Sequence, residues 1–144
     1  TYIETYKHGL LYESYYISHI SPCTHVLKEI IKDTHFQNRM QIFAAFGKFT
    51  AVLHERGILH SDYSMGNVLF EPNEQGAQFQ LVDLNRMQFG QKVNCRKGCR
   101  NFERIDTDVQ ALSASARAYA QARGFDEEEC IRLVLKMRWR KHKK

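Results

Sequence analysis

The stretch His60-Ser61-Asp62-Tyr63-Ser64-Met65-Gly66-Asn67, followed after a short interval by Leu81-Val82-Asp83-Leu84-Asn85, decides how this chain is organised. Between the two lie Val68-Leu69-Phe70 and Gln78-Phe79-Gln80-Leu81-Val82, strand-forming runs joined by the turn-rich Glu71-Pro72-Asn73-Glu74-Gln75-Gly76. That pattern predicts an antiparallel hairpin. Asn67 immediately precedes the first run and Asp83 immediately follows the second, so strand pairing returns both residues to the same end.

On the N-terminal side, Asn38 with Gln41 three residues later resembles a capping box. Ile42, Phe46, Phe49 and Leu53 then follow at helical spacing until Gly57 supplies a stop. This aromatic stripe reads as core, and the helix delivers Ile58 and Leu59 into the His60 loop. Further back, Tyr- and Ile-rich runs on either side of Lys7-His8-Gly9 predict a hairpin within Thr1 to Ile20. Ser21-Pro22 predicts the start of a short helix that carries Leu27, Ile30 and Ile31 and ends near Asp33. On the C-terminal side, residues from Asn85 to about Ile105 read as a loop with Arg86, Lys92, Arg96, Lys97, Arg100 and Arg104 against the single acid Glu103. Thr107 with Gln110 predicts a cap for a helix ending at Gly124, and Asp126 with Glu129 a cap for a last helix carrying Ile131, Val134, Leu135 and Trp139. The fold class expected is α+β, mainly α, with two small hairpins.

The chemistry follows from what the hairpin brings together. Neighbouring strands lie about 4.8 Å apart, so the Asn67 amide oxygen and the Asp83 carboxylate can converge on one hard cation, an oxygen set that suits Mg2+. Asp62, five residues before Asn67, puts a second carboxylate beside that pair. Phosphoryl transfer asks little covalent help of a protein; it needs phosphate charge neutralised and the attacking hydroxyl held in line. Asp62 would orient the hydroxyl and accept its proton, while Asn67 and Asp83 hold Mg2+ on the nucleotide phosphates. A lone Asp near a turn is usually a cap, and a lone His such as His60 usually a structural hydrogen-bonder. The joint pattern is much rarer than any of its members, and it carries the assignment.

His60-x-Asp62, Asn67 and the strand-end Asp83 resemble the catalytic-loop and metal-loop signatures of protein-kinase-like enzymes. Ser61 stands where protein kinases usually carry Arg, and Leu84-Asn85 where they carry Phe-Gly. That Arg commonly reads a phosphorylated activation loop, so its absence argues against such control. Val82-Asp83-Leu84-Asn85-Arg86 instead resembles the bacterial lipopolysaccharide core kinases, the Kdo/heptose (WaaP-like) family, over roughly Leu10 to Leu112. The resemblance implies an ATP- and Mg2+-dependent phosphotransferase with a protein-kinase-like fold, acting on a sugar hydroxyl of the lipopolysaccharide inner core. It implies Asp62 as the catalytic residue, Asn67 and Asp83 as metal ligands, and His60 as a structural brace. Ser18, His19 and Ile20 would form a hinge offering backbone groups to adenine, and Arg86, Arg96, Lys97 and Arg100 would receive an anionic acceptor. Asp108 would anchor the catalytic loop, although Thr107-Asp108 is equally well explained as capping.

No Gly-x-Gly-x-x-Gly loop and no Val-Ala-Ile-Lys strand is present. The expectation is therefore one kinase-like domain fragment, with residues 1–20 as the end of the small lobe and hinge, 21–144 as the large lobe, and most of the N-terminal lobe absent. Such a piece should bind ATP poorly and be inactive by itself. The competing readings are a non-catalytic kinase-like binding module and a protein or small-molecule kinase. Asp62, Asn67 and Asp83 together favour an enzyme, because a binding module has no chemical use for all three.

Of the 21 Lys and Arg, six (Lys136, Arg138, Arg140, Lys141, Lys143 and Lys144) fall in the last nine residues, leaving 15 basic against 16 acidic residues in the rest. The net charge of +5 is thus a property of the tail. Such a tail favours an anionic membrane surface or a sugar phosphate, with nucleic acid a weaker prospect, or simply complements a helix C-terminus. No apolar run approaches the roughly 20 residues of a membrane span, and a cytoplasmic protein, peripheral at the inner membrane if the tail engages lipid, is expected. Oligomeric state is not readable. Cys23, Cys95, Cys99 and Cys130 lack the spacing of a disulfide scaffold and read as reduced thiols. Cys95 and Cys99 have no His or second Cys pair nearby in sequence, which argues against zinc.

Overall fold

The computed structural model describes residues 1–142. Lys143 and Lys144 of the basic tail lie outside the described residues, as do the side chains of Lys32, Trp139, Arg140, Lys141 and His142. Tyr2–Lys7 (β1) and Leu10–Tyr16 (β2) form an antiparallel hairpin that turns through His8 and Gly9, both at positive φ. Then come β3 (His25–Val26), the one-turn α1 (Glu29–Lys32) and the long α2 (Arg39–Glu55). β4 (Leu59–His60) leads through a 3-10 turn at Met65–Asn67 into the central hairpin of β5 (Val68–Asn73) and β6 (Gly76–Leu81). A second 3-10 turn, Leu84–Arg86, precedes β7 (Met87–Gln88), and α3 (Cys95–Asn101), α4 (Val109–Arg123) and α5 (Glu127–His142) complete the chain. Helices with small antiparallel sheets make up the fold, in the strand orders β1-β2, β3-β5-β6 and β4-β7.

The core forms where α2 crosses α4 and supports β6. Ile42, Phe43, Phe46, Gly47, Thr50 and Ala51 of α2 are buried, and α4 answers with small residues, among them Ala111, Ser115 and Ala116. The helices touch backbone to backbone: a Cβ on Gly47 would sit 2.1 Å from the Ser115 carbonyl oxygen, and the Ser115 hydroxyl donates to the Phe43 carbonyl at 2.8 Å. Phe46 is the hub, with its ring against Tyr63, Phe79 and Phe102 at centroid distances of 5.5, 5.8 and 6.0 Å. One aromatic of α2 therefore packs on the His60 loop, the central hairpin and the segment after α3 together.

Four local expectations are corrected. No helix starts at Pro22: the Ser21 hydroxyl accepts from the Cys23 N–H and donates to Gln80, the Glu71 carboxylate takes the Thr24 N–H and hydroxyl, and the chain stays extended to add β3 to β5. The helix there begins only at Glu29. Asn38 makes no capping box; it takes the left-handed conformation (φ 58°) and its side chain caps nothing. The start of α2 is fastened instead by buried Arg39, which donates to the Ile30 carbonyl at 2.9 Å and to Thr107 and Asp108 at 3.1 and 2.5 Å. The helix at 109 is capped by Asp108, not Thr107, through the Ala111 N–H at 2.9 Å. Both Asp108 oxygens are thereby engaged. Burial alone would raise this carboxyl, but the Ala111 N–H and Arg39 outweigh it and hold it below its ordinary value. Finally, the segment read as loop from Asn85 to Ile105 contains α3, started by the Asn94 side chain on the Lys97 N–H. Cys-Arg-Lys-Gly-Cys-Arg-Asn has little helical periodicity, and its helix is stabilised by tertiary packing. A Cβ on Gly98 would fall 1.8 Å from the Tyr119 hydroxyl, so only glycine lets α3 lie this close to α4. The expected stops at Gly57 and Gly124, both at positive φ, and the Asp126 cap on the Glu129 N–H are present.

Candidate active site

Two short ladders bring the quoted motifs side by side. β4 pairs with β7 (Leu59 with Gln88, His60 with Met87), and the ladder continues where the Ser61 N–H donates to the Arg86 carbonyl at 2.8 Å. β5 pairs with β6, and beyond Val68 and Leu81 the Val82 N–H donates to the Asn67 carbonyl at 3.0 Å. Asp83, the residue after Val82, leaves the strand in the left-handed conformation (φ 59°, ψ 49°), which Asp tolerates better than most side chains. The loop from Ser61 to Asn67 and the turn at Asp83 are thus anchored to one another by backbone bonds.

His60 ties them a second time. It is buried, and its Nδ1 lies 3.2 Å from the Asp62 N–H, which can only donate. The proton therefore sits on Nε2, and Nε2–H donates to the Val82 carbonyl at 3.2 Å. Upstream of His60 the chain of bonds runs on. The Asn101 amide donates to the His60 carbonyl at 2.9 Å, and His54 Nε2 lies 3.0 Å from Asn101 Oδ1. That oxygen only accepts, so His54 Nδ1 must accept from the Tyr119 hydroxyl, 3.0 Å away. Burial holds His54 down at about 4, and the nearby Arg123 adds to this against the opposing hydrogen bond to Asn101. The imidazole is neutral at pH 7, as the bonding pattern requires. Tyr119, His54 and His60, all buried, with half-buried Asn101 form a relay from α4 to the residue before Asp83.

Within the loop, Asn67 Nδ2 donates to the Asp62 carbonyl at 2.9 Å, which orients the amide and leaves Oδ1 as its acceptor atom. Tyr63 is buried beneath, bonded to Thr50 at 2.8 Å, and its burial raises its phenol above the ordinary value. Asp62 is half-buried and paired with Arg104. Asp83 is exposed, and its carboxylate has no hydrogen-bond or ion-pair partner among the described residues. A carboxylate and an amide oxygen at the facing ends of one hairpin are hard donors of the type Mg2+ takes, so the residues present fit that ion.

A cleft of about 420 Å³ opens beside the loop, lined by His60, Ser61, Tyr63 and Asn101 and by the cations Lys97, Arg100 and Arg104 against the single acid Glu103. A neighbouring depression of about 380 Å³ is lined by Asn94, Arg96, Lys97 and Arg100. Arg96, Lys97 and Arg100 are thus brought to one face by α3. Arg86 lines neither hollow; it contributes its backbone to the ladder with Ser61. Ser18, His19 and Ile20 are exposed and make no hydrogen bond among the described residues. Arg104 and Asn101 are site residues that sequence reading passed over. Arg104 was visible only as one more cation, since its partner lies 42 positions away, and Asn101 carried no local signal.

The loop and the hairpin present two carboxylates and an amide beside a cationic cleft, and residues 17–125 match a family of kinases. The chain belongs to the lipopolysaccharide kinase (Kdo/WaaP) family. Neither a curated protein nor a solved structure matches it.

Proposed function

We propose that this chain carries the catalytic and metal-binding half of an ATP- and Mg2+-dependent kinase that phosphorylates a hydroxyl of an inner-core lipopolysaccharide sugar. The observation that supports this best is the double anchoring of the Asp62 loop to the Asp83 turn through His60 and the two ladders. Asp62 holds the acceptor hydroxyl in line and takes its proton. Asn67 Oδ1 and the Asp83 carboxylate hold Mg2+, which when bound supplies the charge that offsets the nucleotide phosphates. Arg104 fixes the orientation of Asp62, and Lys97 and Arg100 with Arg96 attract the anionic groups of a phosphorylated glycolipid into the cleft. A kinase-like fold, with Asp62 on its catalytic loop and Asp83 on its metal loop, is part of this reading, and the family match supports it.

The test is phosphate transfer from labelled ATP to a lipopolysaccharide core acceptor by the gene product expressed from its complete reading frame. Asp62→Asn should lower kcat by about 10²–10⁴-fold with nucleotide affinity nearly unchanged. Asp83→Asn should weaken binding of the Mg-nucleotide complex itself. Wild-type turnover in both variants would remove the assignment.

A further inference from the structure

Three thiols that are distant in sequence meet at one point. Cys95 and Cys99 lie one turn apart on α3, and Cys130 comes up against them from the first turn of α5. Their sulfurs lie within 4.8 Å of one another, with Cys95 to Cys99 at 4.0 Å and Cys95 to Cys130 at 3.4 Å. Cys99 and Cys130 are buried, and Cys95 is half-buried, which leaves one open approach. Cys23, also buried, packs elsewhere against the Gln78 carbonyl, so the meeting of the other three does not follow from cysteine content alone.

We propose that Cys95, Cys99 and Cys130 bind one soft d10 metal ion, of the zinc(II) or copper(I) class, and that this ion clips α3 to α5. A thiolate sulfur sits about 2.3 Å from such an ion, so three of them around one centre lie about 3.8–4.0 Å apart. The observed sulfurs, 3.4 and 4.0 Å apart on two sides and within 4.8 Å on the third, match that triangle after adjustments of less than about 1 Å. The donor set is all sulfur, which selects soft ions and rejects the hard Mg2+ suited to Asn67 and Asp83. Each coordinating thiol releases its proton to solvent on binding, and the resulting anionic centre needs a counter-charge. On α4, which meets α3 where Tyr119 lies against Gly98, Arg123 carries an Nη1 that is buried without a hydrogen-bond partner.

The site has a consequence for the cleft, because α3 carries Arg96, Lys97 and Arg100 and ends in Asn101, which donates to the His60 carbonyl. The ion fixes the helix that forms the cationic wall and takes no part in phosphoryl transfer. Cys130 lies past residue 125, outside the stretch that matches the family.

The experiment is a titration of the reduced, metal-stripped wild-type chain with Cd(II), followed by sulfur-to-cadmium charge-transfer absorption under inert gas. Saturation at one ion per chain is expected, with the same endpoint in Cys23→Ser and loss of the band in Cys130→Ser and Cys99→Ala. Elemental analysis of the chain purified without chelator, and competition with Zn(II) and with Cu(I), then tells the two ions apart. The absence of a band in the wild type would overturn the site regardless of how the variants fold. So would a band in Cys130→Ser or Cys99→Ala equal to that of the wild type, or a Cys95–Cys130 disulfide in peptide maps of chain handled without oxidant. None of these readouts involves nucleotide, so failure of the metal site and failure of the kinase reading are separable.

Discussion

The chain holds two antiparallel hairpins of similar length in opposite surroundings. All 6 residues of β1 and all 7 of β2 are exposed, including Tyr2, Tyr6, Tyr12 and Tyr16. In β5 and β6, 6 residues each, Val68, Phe70 and Phe79 are buried, and α2 lies so close that a Cβ on Gly76 would meet the Gln41 carbonyl oxygen at 3.0 Å. Both are rich in strand-forming residues, and both pair. Strand propensity is enough to make a ribbon, but a two-stranded ribbon alone is marginal in water. Only a helix beneath it fixes where its ends point, and the proposed metal ligands, Asn67 and Asp83, stand at the ends of the hairpin with the helix.

The contrast is most exposed to test at Phe70. Its ring is fully buried and packs on His25, Phe36 and Phe79 at 5.3, 5.9 and 6.4 Å. Phe70→Ala should cost about 3–5 kcal/mol in urea unfolding, from lost burial plus the cavity left behind. A loss under about 1 kcal/mol would mean that the central hairpin is no better supported than the first.

The next effect comes from α2, the helix that supports the central hairpin. His54 is held at about 4 in the folded chain against 6.5 for an ordinary imidazole, chiefly by burial. The unfolded chain therefore binds the extra proton first as pH falls. Stability from keeping His54 neutral is complete above pH 6.5 and is lost as pH drops from 6.5 toward about 4. At about 1.4 kcal/mol per unit the loss is at most about 3.5 kcal/mol. Urea midpoints measured across that window should fall steeply for the wild type and less for His54→Gln. Equal slopes would show that the relay from Tyr119 to His60 does not depend on a neutral His54.

What the sequence made legible follows the same division. The central hairpin, the α2 stripe and the placing of Asn67 and Asp83 at the hairpin's ends could be read because each signal is local: alternating apolar runs, helical spacing, a residue at a strand end. The α3 helix could not, because its seven residues carry a glycine and no apolar period and are held by Tyr119, His54 and Cys130, all distant in sequence. The Ser21-Pro22 helix start and the Asn38 cap were misread for the converse reason. Local signatures were present, but Glu71, Gln80 and Arg39 offered stronger partners from elsewhere in the fold. The Arg104 partner of Asp62 and the third thiol of the cysteine cluster belong to the same class, contacts that exist only once the chain has folded.

The smallest effect is expected on the first hairpin, and it bears most directly on the contrast. Tyr16 ends β2 opposite Tyr2 and is 77% exposed. Tyr16→Thr keeps a strand-forming residue and removes the ring, so cross-strand pairing survives while apolar area already in water is lost. Global stability should change by less than about 0.5 kcal/mol, a tenth of the Phe70 effect. The two variants should be compared in the same denaturant series, so that any difference in unfolding slope is seen as well as the midpoint. A loss above about 1 kcal/mol for Tyr16→Thr would mean that the ring is buried in solution against some other surface. The two hairpins would then differ only in which partner covers them, and a covering partner, rather than strand propensity, would be the requirement common to both.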